Sequence, residues 1–285
     1  MARISDILAA KRTLSFEFFP PKSSNAQMTL GRAVGELQAL GPDFVSITYG
    51  AGGSDRHRTG EVVSWMRADT DLVPMAHLTC VGHTRTEVAG LLVDYRRNGV
   101  ENILALGGDA PATGSLVKSD YAYALDLLHD VAATDCFSVG VAAHPEVHPR
   151  SESRAADRRH LADKLHLADF AISQFFFEVE HWQRLVDELA TLGVDKPVVP
   201  GIMPVTNLKQ IKRMAEMSGT ALPTWLTERL ERCNGADQVR RLGIELATKL
   251  CRDLLDAGAP GLHLYTLNQA ATAKEIAVNV DLVTA

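Results

Sequence analysis

The sequence predicts an α/β protein built as one (β/α)8 barrel, the TIM-barrel class, with an extra helix before the eighth unit and a single domain over residues 1–285. Three observations predict it. Short apolar runs alternate with longer amphipathic stretches, polar residues follow nearly every apolar run, and no linker or low-complexity segment divides the chain. Eight strands in strict alternation with helices close into a barrel, and barrels of this length form one unit.

The predicted strands are short and mostly apolar on both faces, as in a parallel sheet that helices cover. They are Leu14–Phe19, Phe44–Tyr49, Val73–Thr79, Asn102–Leu106, Phe137–Ala142, Phe170–Phe177, Val198–Ile202 and Gly261–Thr266.

Helices are predicted where apolar residues recur at helical spacing between these strands. Thr84-Arg-Thr-Glu87 is a capping box that begins one of them, and Asp256-Ala-Gly-Ala-Pro260 ends another. The extra helix lies within Gly219–Gly235. The other predicted helices are Met28–Leu40, Thr84–Asn98, Tyr121–Ala133, Ser153–Leu167, Val179–Thr191, Asn207–Met217 and Gln238–Ala257.

Composition excludes several classes of protein. A net charge of −6 and a pI near 5.9 offer no basic surface for nucleic acid. No apolar run reaches the roughly 20 residues of a membrane helix, and the first residues lack the apolar core of a signal peptide. The four cysteines are far apart, which is typical of reduced thiols. We therefore expect a cytoplasmic protein without nucleic-acid or membrane partners. A homo-oligomer is compatible with the sequence, which does not decide it.

Polar residues stand at the predicted strand ends, where barrel enzymes place their chemistry. They are Glu17, Thr48, His77, Thr79, Asp109, His144, Glu146, Gln174 and the run Tyr265-Thr-Leu-Asn268. A histidine such as His77 between apolar neighbours is more often a hydrogen-bonded core residue, and Gln174 alone could satisfy a buried backbone group. Glu17 is harder to dismiss, because a carboxylate between phenylalanines must be paired or have a raised pKa. A raised pKa suits a general acid.

His144, Glu146 and His148 are the residues most suggestive of a metal site. They alternate within a proline-flanked loop and lack the i, i+4 helical spacing of zinc enzymes. We therefore expect no metal.

In order along the chain, several stretches resemble methylenetetrahydrofolate reductases of the bacterial catalytic-domain type. The matching stretches are Ser15-Phe-Glu-Phe-Phe-Pro-Pro-Lys22, Phe44-Val-Ser-Ile-Thr-Tyr-Gly-Ala51, His77-Leu-Thr-Cys80, Gly108-Asp109, Val141-Ala-Ala-His-Pro-Glu-Val-His-Pro149, Ile172-Ser-Gln-Phe-Phe-Phe177, Pro200-Gly-Ile-Met-Pro-Val-Thr206 and His263-Leu-Tyr-Thr-Leu-Asn268.

The resemblance implies reduction of 5,10-methylenetetrahydrofolate to 5-methyltetrahydrofolate by NADH or NADPH through bound FAD. It implies that Glu17 is the acid that opens the imidazolidine ring, that Asp109 lies near flavin and pterin, and that Gln174 binds folate. The positions that match FAD contacts are Thr48, His77, Gly108, Asp109, Tyr123, Ala124, His144 and Lys164. The positions that match substrate contacts are Glu17, Gln174, Met214 and Gln269.

Four departures from the family pattern bear on these expectations. Gly107 stands where the family commonly has Arg, His144 replaces an aromatic residue, Met214 replaces Phe, and Gln269 replaces Arg. The chain is also one residue shorter near Leu165–Ala168. Loss of one charge-assisted contact costs about 1.5–3 kcal/mol, which corresponds to roughly tenfold to a hundredfold weaker FAD binding.

Two alternatives therefore stay open. One is a folate reductase with weak or absent flavin that takes hydride directly from a nicotinamide. The other is a non-catalytic folate- or flavin-binding subunit, which the presence of Glu17, Asp109 and Gln174 disfavours. A lyase or aldolase is least favoured, because no strand-end lysine offers a Schiff-base nucleophile.

Overall fold

A computed structural model describes residues 2–49, 56–108, 119–280 and 282. Its strands are β1 Thr13–Phe18, β2 Phe44–Ile47, β3 Pro74–Thr79, β4 Asn102–Leu106, β5 Ser138–Ala143, β6 Phe170–Ser173, β7 Val198–Val199, β8 Gly201–Ile202 and β9 Gly261–Tyr265. Its helices are α1 Ile4–Ala10, α2 Ser24–Gln38, α3 Arg56–Asp69, α4 Arg85–Arg97, α5 Ala124–Ala132, α6 Arg154–Leu165, α7 Val179–Thr191, α8 Leu208–Ser218, α9 Thr224–Glu231, α10 Ala236–Asp256 and α11 Ala270–Asn279.

Neighbouring strands pair in parallel in the order β7-β6-β5-β4-β3-β2-β1-β9-β8, which confirms the predicted (β/α)8 barrel. The seventh strand is divided in two at Pro200, because proline has no N–H to donate to the ladder. Its carbonyl still accepts from the backbone N–H of His263 (3.0 Å). With β7 on β6 and β8 on β9, the divided strand closes the barrel.

Side chains alternate strictly between the two faces of the strands, as the period of two requires. Phe16 and Phe18 of β1 point outward and pack with α2 residues such as Leu30 in the large outer core. A smaller inner core fills the lower barrel and contains Phe44, Met75, Leu104, Phe170, Ile172 and Val199. Ser15 and Glu17, offset by one residue from the phenylalanines, therefore lie on the inner face.

Glycines inside the barrel leave room for large rings. A Cβ on Gly140 would lie 2.6 Å from the Phe170 ring, and one on Gly201 would lie 2.5 Å from the Tyr265 hydroxyl. The Phe170 ring takes the space at Gly140, and the Ser173 carbonyl together with the Tyr265 ring takes it at Gly201.

The N-terminal helix α1 closes the lower end of the barrel. Ile4 and Leu8, one helical turn apart, pack into the inner core. The Ile4 N–H donates to the Asn102 side chain (2.8 Å), and the Ser5 N–H donates to the Ser138 hydroxyl (3.1 Å). The first residues of β4 and β5 thus satisfy the free N–H groups at the start of α1.

Several sequence predictions are confirmed and others need correction. The Thr84–Glu87 capping box begins α4, and α9 is the extra helix. The sixth strand ends at Ser173, not at Phe177, because Phe175 turns away into a separate cluster with Met203 and Val205. Helices α1, α3 and α11 were not among the predicted elements.

We expect Phe170→Ala to lower the free energy of unfolding by about 3–5 kcal/mol, because it empties a fully buried ring position against Gly140. Urea unfolding followed by circular dichroism measures it. Met28→Ala on α2, at a side chain 65% exposed, is the control and should change stability little. Equal effects of the two substitutions would contradict the inner-core assignment.

Candidate active site

Glu17 lies on the inner face near the upper end of β1 and is only 8% exposed. Its carboxylate oxygen Oε2 is 3.5 Å from Nε2 of His77, 3.7 Å from Nε2 of His263 and 3.4 Å from the Ser46 hydroxyl. The structure thus places the carboxylate among polar side chains of β2, β3 and β9. The phenylalanines beside it in sequence face the helices, so the apolar neighbourhood on which the sequence interpretation rested is not its spatial surrounding.

The titration of the neighbouring groups follows from their burial. Burial lowers the pKa of His77 to about 4, although Glu17 acts in the opposite direction and His263 adds to the lowering. Burial, and next the charge of Glu17, raises the pKa of Tyr265 well above its usual value. Near neutral pH both side chains are therefore uncharged, and Tyr265 is free to donate its hydroxyl hydrogen to the Ser173 carbonyl (2.7 Å).

The run after β9 fixes the backbone at the top of β1. The Thr266 hydroxyl donates to the Glu17 carbonyl (2.6 Å), and the Asn268 side chain both accepts from the Phe19 N–H and donates to the Phe19 carbonyl (2.8 and 2.9 Å). Leu267 and Asn268 adopt left-handed backbone angles (φ 50° and 57°), which turn the amide of Asn268 toward β1. This motif therefore positions the carboxylate.

A second polar group lies at the ends of β5 and β6. Lys164 of α6 donates to the Ala142 carbonyl (2.8 Å), and burial lowers the pKa of its amine to about 8 despite the opposing charge of Asp157. The rings of His144 and His148 make an edge contact (4.5 Å between centroids). Burial, then the charges of His148 and Lys164, lower the pKa of His144 to about 3.

Arg158, which sequence reasoning missed, braces the loop that carries His144. Its buried guanidinium donates to the carbonyls of His144, Pro145 and Glu146 at 2.9–3.0 Å and to the Glu188 carboxylate at 2.6 Å. The sequence showed only a short basic run there. Arg158 fixes the loop because the guanidinium can make several hydrogen bonds in one plane.

Gly107 and Gly108 follow β4. Gly108 has a φ of 81°, which favours glycine, and a Cβ there would meet the Thr79 side chain at 3.0 Å. A Cβ on Gly107 would lie 3.8 Å from Nη2 of Arg150. The loop after β5 thus brings a guanidinium to the space where Gly107 itself offers no side chain.

The other predicted ligand positions are spread around the upper end. Gln174 follows β6, accepts from the Phe175 N–H (3.0 Å) and lines a small cavity with His144. Thr48 follows β2, and Tyr123, 75% exposed, precedes Ala124 at the start of α5. Asp109 lies outside the described residues.

Met214 and Gln269 are not joined to Glu17 by any described contact. Met214 on α8 packs against the cluster that contains Phe175, and Gln269 is exposed at the start of α11. Their predicted substrate contacts stay predictions.

The loop with His144, Glu146 and His148, considered above as a metal site, makes other contacts. The Glu146 carboxylate contacts His181 (3.1 Å) and accepts from the Ala221 N–H (2.8 Å). Within the described ranges, no three His, Cys, Asp or Glu side chains are grouped so that they could hold a metal ion.

All four cysteines are described and are free thiols. In the same part of the chain, none of the helices is long and apolar enough to cross a bilayer.

Similarity to known proteins agrees with this architecture. The family profile described as methylenetetrahydrofolate reductase matches residues 3–281. The chain is 39% identical over 259 residues to the 5,10-methylenetetrahydrofolate reductase of Salmonella typhimurium, covering 90% of this chain and 86% of the relative. It is 36% identical over 285 residues to methylenetetrahydrofolate reductase (NADH) 1 of Arabidopsis thaliana, covering 94% of this chain and 48% of that protein.

Solved structures share the fold at low sequence identity. An uncharacterized protein from Clostridium thermocellum that binds two copies of 5-methyl-5,6,7,8-tetrahydrofolic acid superposes with a TM-score of 0.70 at 14% identity, covering 99% of each chain. A 2,3-dimethylmalate lyase superposes with a TM-score of 0.57 at 12% identity, covering 98% of this chain and 84% of the lyase. At such identities the likeness concerns the barrel alone.

The fold and the polar groups at its upper end define a TIM-barrel enzyme with a paired carboxylate inside the barrel. Within that class, the chain belongs to the methylenetetrahydrofolate reductase family, whose members are oxidoreductases.

The lowered pKa of His77 predicts a pH dependence of stability. The unfolded ring binds a proton below about pH 6.5, whereas the folded ring binds one only below about 4. Between these values the unfolded state holds more protons, so the free energy of unfolding decreases as the pH is lowered from about 6.5 to about 4, by about 3 kcal/mol at most.

Urea unfolding of His77→Gln should show a shallower loss across that window, with the exposed His160→Gln as control. A slope in His77→Gln equal to that of the wild type would show that His77 does not contribute.

Proposed function

We propose that this protein reduces 5,10-methylenetetrahydrofolate to 5-methyltetrahydrofolate with NADH or NADPH as hydride donor. The observation that carries the proposal is the buried Glu17 carboxylate, held by three strands at the upper end of a barrel of the methylenetetrahydrofolate reductase family. The names of the bacterial and plant relatives give the substrate, and the plant relative is named for NADH.

Glu17 is the general acid of this proposal. Its carboxyl proton passes to one ring nitrogen of the substrate, and the bond between that nitrogen and the methylene carbon breaks. The lone pair of the other nitrogen forms an iminium cation, and hydride addition to its carbon gives the methyl group. The product is reduced by two electrons, and Glu17 is left as a carboxylate that stabilises the cation while it exists.

The chemistry of the side chains at the ends of β2 to β6 fits FAD. Lys164 and Arg150 offer cations for a diphosphate, His144 offers an uncharged ring, and Thr48 and His77 offer small polar contacts. Tyr123, Ala124 and Gly108 complete the proposed FAD contacts, with Asp109 beyond the described residues. When bound, FAD supplies a carrier that takes hydride from the nicotinamide and passes it to the folate.

Gln174 is proposed to hold the folate, with Met214 and Gln269 as further substrate contacts. The Gln174 carbonyl oxygen is already engaged with the Phe175 N–H, so its amide NH2 is the group that faces a ligand. The free thiols are in keeping with the cytoplasm as the place of action.

We expect Glu17→Gln to lower kcat for methylenetetrahydrofolate reduction at least a hundredfold, on the order of a lost general acid, because the amide cannot give up a proton. NAD(P)H oxidation with methylenetetrahydrofolate measures it. The exposed Glu36→Gln on α2 is the matched control and should keep the wild-type rate. Wild-type turnover by Glu17→Gln would refute the acid assignment.

The visible spectrum of the purified protein decides between bound FAD and direct transfer from the nicotinamide. We expect a flavin spectrum, and we expect Arg150→Ala to weaken FAD binding by roughly tenfold to a hundredfold in equilibrium dialysis, since it removes the cation beside Gly107. The exposed Arg232→Ala, at the C-cap of α9, is the control. A colourless protein that still reduces methylenetetrahydrofolate would overturn the flavin and leave direct hydride transfer.

A further inference from the structure

A chain of buried hydrogen-bonding groups runs downward from Glu17 inside the barrel. The Ser46 hydroxyl lies 3.4 Å from Oε2 of Glu17 and 3.2 Å from Nε2 of His263. On the other side of the ring, Nδ1 of His263 is 2.8 Å from the Ser15 hydroxyl. Ser15, Ser46 and His263 are all fully buried, so only Glu17 connects this chain to the upper end of the barrel.

Ser15 fixes which nitrogen of His263 carries hydrogen. A serine hydroxyl has one hydrogen, which Ser15 can give either to the Leu262 carbonyl at 3.0 Å or to Nδ1 of His263 at 2.8 Å, and we take the carbonyl as its acceptor. The short contact with Nδ1 is then a hydrogen bond only if Nδ1 is the donor. Nε2, the nitrogen that faces Ser46, is therefore either a bare acceptor or the second N–H of a charged ring.

With Ser15 donating to Leu262, counting hydrogens leaves two arrangements with every group satisfied, whereas a Ser15 that donated to Nδ1 would leave a neutral ring donating through Nε2 and no proton to share with Glu17. If His263 is neutral, Nε2 accepts from Ser46, and Ser46 must accept from a protonated Glu17. If His263 is charged, Nε2 donates to Ser46, and Ser46 donates to the Glu17 carboxylate. Both arrangements hold the same number of protons, and they interconvert when one proton moves between His263 and Glu17 through the Ser46 hydroxyl.

The other titratable groups around Glu17 do not share a proton with it. His77 also faces the carboxylate, at 3.5 Å, but it has no hydrogen-bond partner at Nε2, and burial keeps its pKa low. Tyr265 faces it from β9, with its hydroxyl committed to the Ser173 carbonyl. Among the described residues, the proton can be shared only along Ser46 and His263.

We propose that Ser46 and His263 form a proton relay that stores one proton for Glu17 out of reach of solvent, with Ser15 fixing the ring tautomer. The proton enters from water through Glu17 when the upper end is open and rests on His263. It returns through Ser46 to Glu17, which passes it to the substrate nitrogen whose carbon–nitrogen bond breaks. Ser46 and His263 are positioning residues in this scheme, and it rests on the proposed function.

Long-range proton–nitrogen NMR of the 15N-histidine-labelled protein tests the relay independently of catalysis. His263 is assigned from the signal lost in His263→Gln. We expect hydrogen on Nδ1 in its neutral form, and a smaller protonated fraction of the ring in Glu17→Gln than in the wild type at the same pH. A neutral ring with hydrogen on Nε2, or a ring whose protonation Glu17→Gln leaves unchanged, would overturn the proposal.

Kinetics test the relay in the enzyme. We expect Ser46→Ala to lower kcat for folate reduction about tenfold to a hundredfold and to change the pH profile of kcat, with KM nearly constant. Ser138→Ala, equally buried at the lower end of β5, should keep the wild-type profile. A wild-type kcat and pH profile in Ser46→Ala would rule the relay out. Absence of folate reduction in the wild type would instead refute the proposed function, and the NMR result would still decide the relay.

Discussion

A carboxylate inside a barrel must find hydrogen-bonding partners, and much of the upper barrel is arranged around that requirement. Glu17 is almost fully buried, and the hydroxyl and imidazole groups of β2, β3 and β9 surround its carboxyl group. These strands come from opposite ends of the sequence. The register that pairs Glu17 with Ser46 and Ser15 with His263 is what brings them together. The polar group around Glu17 therefore forms only when the barrel closes with this strand register.

Loops and second elements keep this group in place. Thr266 and Asn268 hold the backbone on either side of Phe18, and Arg158 holds the loop after β5 through its carbonyls. These contacts use backbone carbonyls, which any sequence provides, and only the donor side chains are special. The donor side chains of these contacts lie outside the strands, whereas the strands supply the carbonyls and the barrel framework.

The sequence predicts the fold well because the period of the apolar runs is a local property. It also places Glu17 and His77 at strand ends. Other features depend on distant residues. Ser46 and His263 become partners of Glu17 only through the register, and Arg150 approaches Gly107 only through the path of a loop. The short helix α1 was missed because its two buried apolar residues, Ile4 and Leu8, are too few to show a period.

Closure of the lower end by α1 also determines how molecules reach the carboxylate. Ile4 and Leu8 fill the lower end of the barrel, and the rings of Phe44 and Phe170 lie above them. These described residues close the interior at its lower end, so it is not an open channel. A ligand that contacts Glu17 must therefore enter and leave through the upper end of the barrel. Two reactants that need the same space beside Glu17 must then bind one after the other.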